Sequence, residues 1–300
     1  MQLRLRSFLA LFAFGTLACG ERVVLADLDA SSRGGRGGAP PTDGSGGRTG
    51  SGTGGSAGAA IVLEPGAITW RSSFDIGDLS EWDRDPQFVG SGITLVDSPT
   101  RSGAFAAQFE VGPGDDPIAN GDERAELIRT PFEGEGTSSY WAWSTFFPSD
   151  FVAATGAHQW TILVHWVADG DLYPDCRPPL VVDIDPADGQ SLRLLTRGGT
   201  PVVSGGSCTT TTTGRFVLEP IVRNRWYDFF LWVVWSADPA VGRVRLFLDG
   251  REVVPETAVA TLYSGSQVSP KLGLYRSPAS TTTRVIHDEL RHGSESPEGF

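Results

Sequence analysis

Three short stretches of the sequence carry side chains able to hold an anion or move a proton. In Gly121-Asp122-Glu123-Arg124-Ala125-Glu126-Leu127-Ile128-Arg129, charged residues alternate with small or apolar ones. On a strand, Arg124 and Glu126 would share one face, because side chains repeat every two residues. A solvated sheet face with a cross-paired charge would read the same way. Trp160-Thr161-Ile162-Leu163-Val164-His165-Trp166-Val167 sets one His in an otherwise apolar strand. Facing a groove, its near-neutral pKa suits proton transfer or anion contact; facing inward, it is a satisfied structural residue. Lys271-Leu272-Gly273-Leu274-Tyr275-Arg276 puts Lys, Gly and Tyr on one strand face. The Gly leaves a hollow where a ligand could approach the backbone, although a sheet-edge Tyr beside a snorkelling Lys fits equally. Of the 24 basic residues, Lys271 is the single lysine. Trp141 and Trp143 also share a strand face, where they serve either the core or an aromatic platform for sugar rings.

The elements that must position these residues read as strands. Apolar runs at Ile93–Val96, Ala104–Val111, Trp141–Phe147, Trp160–Val167, Leu180–Ile184 and Trp226–Trp235 are punctuated by Gly, Pro and Asp. No amphipathic helix longer than two turns interrupts them. Arg243–Leu248, Asp249-Gly250 and Arg251–Val254 read as a hairpin with an Asp-Gly turn. A dozen or more strands without internal repeats predict an all-β, two-sheet antiparallel sandwich or jelly roll over residues 61–300.

The first 60 residues read as an address and a tether. Arg4 and Arg6 precede an apolar run, Phe8 to Leu17, and then Ala18-Cys19-Gly20, the pattern of an export signal over residues 1–19. Ala18-Cys19 resembles a bacterial lipoprotein signal with Cys19 as the lipidated residue, although Thr16 stands where Leu is usual; plain secretion is the alternative. The Gly after Cys19 favours the outer membrane under the lipoprotein reading. Residues 20–60 form a linker; within it, residues 31–60 hold 12 Gly with Ser, Thr and Pro, a solvated, flexible composition. In an oxidising compartment Cys176 and Cys208 are expected to pair. The net charge of −12 argues against a nucleic-acid binder. Contact with a membrane is expected only through the lipid, and the protein is expected to be a monomer.

Taken in order, Arg101-Ser102-Gly103-Ala104, Glu123 to Leu127, Trp141-Ala142-Trp143-Ser144, the Trp160 strand, Arg225-Trp226-Tyr227-Asp228, Leu248-Asp249-Gly250, Lys271 to Arg276 and His287 to Gly293 form a familiar set. Over about residues 70–293 the chain resembles the polysaccharide lyase family of the heparin lyase I and glucuronan lyase type, with its concanavalin A-like jelly roll. The resemblance implies β-elimination on an acidic, uronic-acid-containing polysaccharide. The sugar carboxylate is neutralised, a base takes the C5 proton and an acid protonates the departing O4. It implies Tyr275 as the acid, and in some members also the base, with Lys271 holding anionic substrate and favouring the phenolate. Arg124 is implied as the bidentate partner of the carboxylate. Glu126, Arg276 and Trp143 are the further expected substrate contacts.

One departure bears on the chemistry. The family's central strand usually carries Gln-x-His. In one register His165 takes the Gln position and Val167 stands where the His belongs; in the other, His165 is the His and Leu163 replaces the Gln. His165 is then the neutraliser or the base, or the domain binds polymer without cutting it, as a carbohydrate-binding jelly-roll lipoprotein. A glycoside hydrolase on this fold would need paired carboxylates, and Val182-Asp183-Ile184-Asp185 lacks the accompanying Glu. No cofactor is required. Some relatives bind calcium, but Asp115-Asp116 and Asp169-Gly170-Asp171 lack calcium-loop spacing and are expected as solvated turns.

Overall fold

The computed structural model describes residues 68–130, 133–155, 159–168, 173, 176–204, 207–210 and 212–296. Cys19, the export segment, the linker and Asp169-Gly170-Asp171 lie outside the described residues.

The described chain is all-β. One sheet contains β1 (Ile68–Ser72), β2 (Ile93–Val96), β3 (Ala106–Val111), β5 (Ser138–Phe147), β12 (Arg225–Val234), β13 (Arg243–Leu248), β14 (Arg251–Ala258) and β16 (Thr283–Gly293). Its order is β14-β13-β12-β5-β16-β3-β2, with β1 also on β16. The second sheet contains β4 (Glu123–Ile128), β6 (Thr161–Ala168), β7 (Leu180–Ile184), β8 (Ser191–Gly198), β11 (Thr212–Pro220) and β15 (Val268–Arg276), in the order β11-β8-β7-β6-β15-β4. β9 (Val202–Ser204) and β10 (Ser207–Thr209) form a small hairpin. All pairings between the named strands are antiparallel, and the two sheets form the expected jelly-roll sandwich.

Local chemistry explains the strand ends. The Asp249-Gly250 turn has φ of 51° and 74° at its two residues, the left-handed pair that a type I′ hairpin demands. Between the sheets, period-2 alternation packs Trp141, Trp143, Trp166, Phe109, Phe229, Leu272 and Leu274 into one core. Cys176 and Cys208 are joined in a disulfide, their Cα atoms 5.0 Å apart, which ties the chain before β7 to the β9–β10 hairpin.

That packing corrects two expected substrate contacts. Trp143 is 2% exposed and stacks on Phe229 at 4.7 Å between centroids, with Trp166 at 6.2 Å. It lies on the inner face of the opposite sheet and belongs to the core. Arg276 is fully buried. Its position on β15 is out of phase with Lys271 and Tyr275, opposite Glu123 on β4. Arg276 Nε donates to Glu123 Oε2 at 2.9 Å and Nη1 donates to Thr283 Oγ1 at 2.6 Å, so Arg276 is an interior ion pair.

Candidate functional site

The outer face of the second sheet gathers Arg124, Glu126, His165, Lys271 and Tyr275. Register does most of this. Tyr275 stands opposite Arg124 on β4 and opposite Ile162 on β6. Lys271 stands opposite His165, and Gly273 opposite Glu126. A bulge in β6 between Ile162 and Val164 turns Leu163 into the core beside Val164. Ile162 packs instead against Val181, Leu195 and the site's Tyr275. The extra residue of a bulge re-phases a strand, and here it excludes Leu163 from the site.

Gly273 does not make the expected hollow. Its φ is +145°, and a Cβ there would meet Ala125 O at 2.2 Å and Phe109 Cδ1 at 2.8 Å. The missing side chain makes room for neighbouring backbone and core, not for a ligand.

Glu126 is the centre of the cluster. It is buried, and its Oε1 lies 2.6 Å from His165 Nε2. Its Oε2 faces two cations, Arg124 Nη1 at 3.4 Å and Lys271 Nζ at 3.7 Å. Burial pushes its pKa upward, but Lys271, His165 and Arg124 outweigh that and hold it at about 2. Glu126 is therefore an ionised internal counter-ion, and its expected role as a direct substrate contact gives way to one of positioning. His165 is lowered by burial, against the pull of Glu126, so its ring is neutral at neutral pH. A carboxylate only accepts hydrogen bonds. Nε2 must then carry the proton and Nδ1 the lone pair. Nδ1 is buried and has no hydrogen-bond partner.

Tyr275 is in the opposite state. Its hydroxyl donates to Asp122 Oδ2 at 2.7 Å. Burial and that bond push its pKa up to about 12, against the Arg124 charge. Arg124 lies over its ring at 3.8 Å, and Trp160 meets the ring edge-on at 4.3 Å. The phenol is held protonated, so the expected bias toward a phenolate is reversed. Lys271 bonds elsewhere, donating to Gln87 Oε1 at 3.2 Å.

Three groups join the site that the sequence reading assigned no role. Gln87 arrives on a segment outside the named strands, bridged to Glu126 by two backbone hydrogen bonds of 2.9 Å. No strand pattern or charge singles it out in the sequence. Asp122 and Asn120 come from the loop before β4, where Asn120 Oδ1 accepts from Arg124 Nη2 at 3.2 Å. Asp122 stands two residues from Arg124, and that proximity was the available signal. The same loop answers for Asp115 and Asp116. Asp115 accepts from Gly112 N at 2.7 Å, while Asp116 accepts from Asn120 N and Gly121 N; both carboxylates shape turns. Among the described residues no group of three His, Cys, Asp or Glu could hold a metal. Asp183 and Asp185 are both bonded to Arg193, and Asp185 also to Arg215.

A family model described as polysaccharide lyase matches residues 74–291. No curated protein matches the chain by sequence. Among solved structures, an endo-β-1,4-glucuronan lyase from the fungus Trichoderma reesei is similar at a TM-score of 0.62 and 16% identity, covering 76% of this chain and 96% of that one. An alginate lyase matches at a TM-score of 0.47 and 12% identity, over 63% of this chain and 75% of that one. Another, from a Chlorella virus, matches at 0.46 and 9%, over 76% and 100%.

Proposed function

Because the chain belongs to the polysaccharide lyase family, we propose that it cleaves an acidic, uronic-acid-containing polysaccharide by β-elimination at the Arg124–His165–Tyr275 cluster. One observation carries this reading: a neutral imidazole and a protonated phenol stand with ring centroids 5.8 Å apart. They are held in the opposite states that an elimination needs. Entry of the substrate must first uncover His165 Nδ1, which is buried in the free protein; it then takes the C5 proton, the C5–H electrons become the C4=C5 double bond, and the C4–O4 bond breaks. Tyr275 gives its proton to O4, and solvent returns the proton balance after release. Arg124 neutralises the sugar carboxylate, which lowers the cost of the charge that develops beside it. Glu126 fixes the His165 tautomer and Asp122 keeps Tyr275 protonated, so both are positioning residues.

The burial of Leu163 favours the register in which His165 and Val167 occupy the two positions of the family pair. The base then comes from the first of them. The likeness to a glucuronan lyase, together with the charged groove, makes a polyglucuronate the substrate to test first. Export and attachment through a lipid on Cys19 are part of the same proposal. A C19S variant should lose incorporation of labelled fatty acid, and retained label would remove the anchor.

The test is ultraviolet absorbance of the unsaturated uronyl product on glucuronan, alginate and heparin. Activity on at least one is expected, and Y275F should lower it by about 10²-fold or more while leaving polymer binding intact. Binding of these polymers with no product from any would leave a carbohydrate-binding domain instead.

A further inference from the structure

A cavity of about 340 Å³ runs from Tyr275, Trp160 and Asp122 to three arginines, Arg177, Arg193 and Arg197. The three differ in how their charge is met. Arg193 is neutralised: its Nε and Nη2 donate to Asp183 at 2.9 and 2.5 Å, and Nη1 to Asp185 at 3.2 Å. Arg197 lies two residues beyond Leu195 on the same face of β8, half-buried. Its side-chain bond is Nη1 to Pro178 O at 2.9 Å, and among the described residues no carboxylate reaches it. Burial lowers its pKa and the Arg177 and Arg193 charges add to that, against an opposing pull from Tyr263 and Asp183. A guanidinium cannot shed its charge in a protein, and an unpaired cation in a half-buried wall is unfavourable unless an anion comes to it. Arg177 stands alongside, its side chain exposed but its backbone held. Tyr263 donates to Arg177 O at 2.7 Å, and the preceding residue is bound in the Cys176–Cys208 disulfide.

We propose that Arg197 and Arg177 form a second anion subsite of the groove, which takes a carboxylate of the polymer on a sugar other than the one being cleaved. This rests on the lyase reading above and deepens it. β8 is three strands from β15 in the sheet, and the register runs from Tyr275 through Ile162 and Asp183 to Arg193. Arg197 lies four residues further along, so at about 4.8 Å per strand and about 3.3 Å per residue its backbone stands roughly 20 Å from that of Tyr275. The carboxylate it grips therefore belongs to a different residue of the chain. Two planar forks that no carboxylate among the described residues meets suit a substrate carboxylate, and Val181 and Leu195 line the cavity between them and Tyr275. The subsite makes the enzyme selective for polymers charged at successive sugars over those charged only at the cleaved one.

The test uses the full chain and its R197Q and R177Q variants. Binding of polyglucuronate and of neutral dextran is measured by calorimetry, and elimination by ultraviolet absorbance. Each variant should weaken polyglucuronate binding and raise KM by about tenfold, the low end for a charge-assisted bond that solvent partly screens. kcat should stay unchanged, and the salt dependence of Kd should become shallower. Arg177 is exposed, so R177Q is informative even if R197Q fails to fold. Reduction of the disulfide should mimic R177Q. Unchanged Kd and KM in a folded variant of an active enzyme would overturn the subsite and leave the lyase reading standing. Polymer binding without product in the parent, still weakened by either variant, would sink the lyase reading and keep the subsite. A parent that binds no polyuronate overturns both.

Discussion

Replacing Glu126 with Gln keeps the shape of the side chain and removes the one negative charge among Arg124, His165 and Lys271. The structure sets the size of the effect. A carboxylate held at about 2 instead of its usual 4.5 corresponds to about 3 kcal/mol of folding stability. That matches the roughly 3–5 kcal/mol lost when one member of a buried charge pair is removed. For a domain of this size the thermal midpoint should fall by roughly 6–12 °C. Because the folded pKa lies below the unfolded one, the parent's contribution is complete above the unfolded value and fades as pH falls through about 2. The difference between parent and E126Q should therefore shrink in acid. The second readout is kinetic. Arg124 and Lys271 only donate hydrogen bonds, so the new amide turns its oxygen to them and its Nε2 to His165. The ring must then accept at Nε2 and carry its proton on Nδ1, which removes the lone pair assigned to the C5 proton. kcat should drop by about 10²-fold or more. Calorimetric scans between pH 3 and 8, with parallel ultraviolet assays, measure both. A midpoint within 2 °C of the parent at pH 7 would refute the electrostatic account, and an unchanged kcat would refute the tautomer argument.

Other perturbations separate the remaining roles. D122N removes the carboxylate charge that helps keep Tyr275 protonated and leaves only a weaker neutral acceptor, so the alkaline limb of the kcat profile should move down by about one pH unit; an unmoved limb would detach the Asp122 charge from the phenol. G273A forces a Cβ against Ala125 O at 2.2 Å and Phe109 at 2.8 Å in a backbone conformation that favours Gly. It should cost roughly 1–3 kcal/mol by chemical denaturation, and a stability equal to the parent would mean that the strand relaxes freely.

The alternating face of β15, the shared face of Arg124 and Glu126, the Asp-Gly hairpin and the joined cysteines were all legible in the sequence. Each depends on period-2 geometry, on the φ requirements of a turn or on the redox compartment, and such rules act over a few residues. The set of ordered motifs extended that legibility to the jelly roll itself. It could not say which of two chemically similar faces meets the core. Trp143 and Trp141 form the same alternating pattern whether they stack on Phe229 or line a groove, and only the packing of one sheet against the other chose the interior. Arg276 follows Tyr275 by one residue, so the pleat turns it inward onto Glu123, where burial demands a partner.

The assembly of the site was decided in three dimensions. The bulge at Leu163 re-phases β6 and sets His165 against Glu126, a one-residue event with no sequence mark in its apolar surroundings. Gln87 comes from 39 positions before Glu126 and is held by backbone hydrogen bonds that any residue could make. The lone lysine illustrates the division. Its strand face could be read from spacing, but not its partners, because whether an ammonium meets a carboxylate, an amide or a substrate depends on which distant strands lie beside it. Sequence determined the chemical types on each face, since those follow from covalent order. Tertiary structure determined their protonation states, since these depend on burial and on charges brought close from elsewhere in the chain.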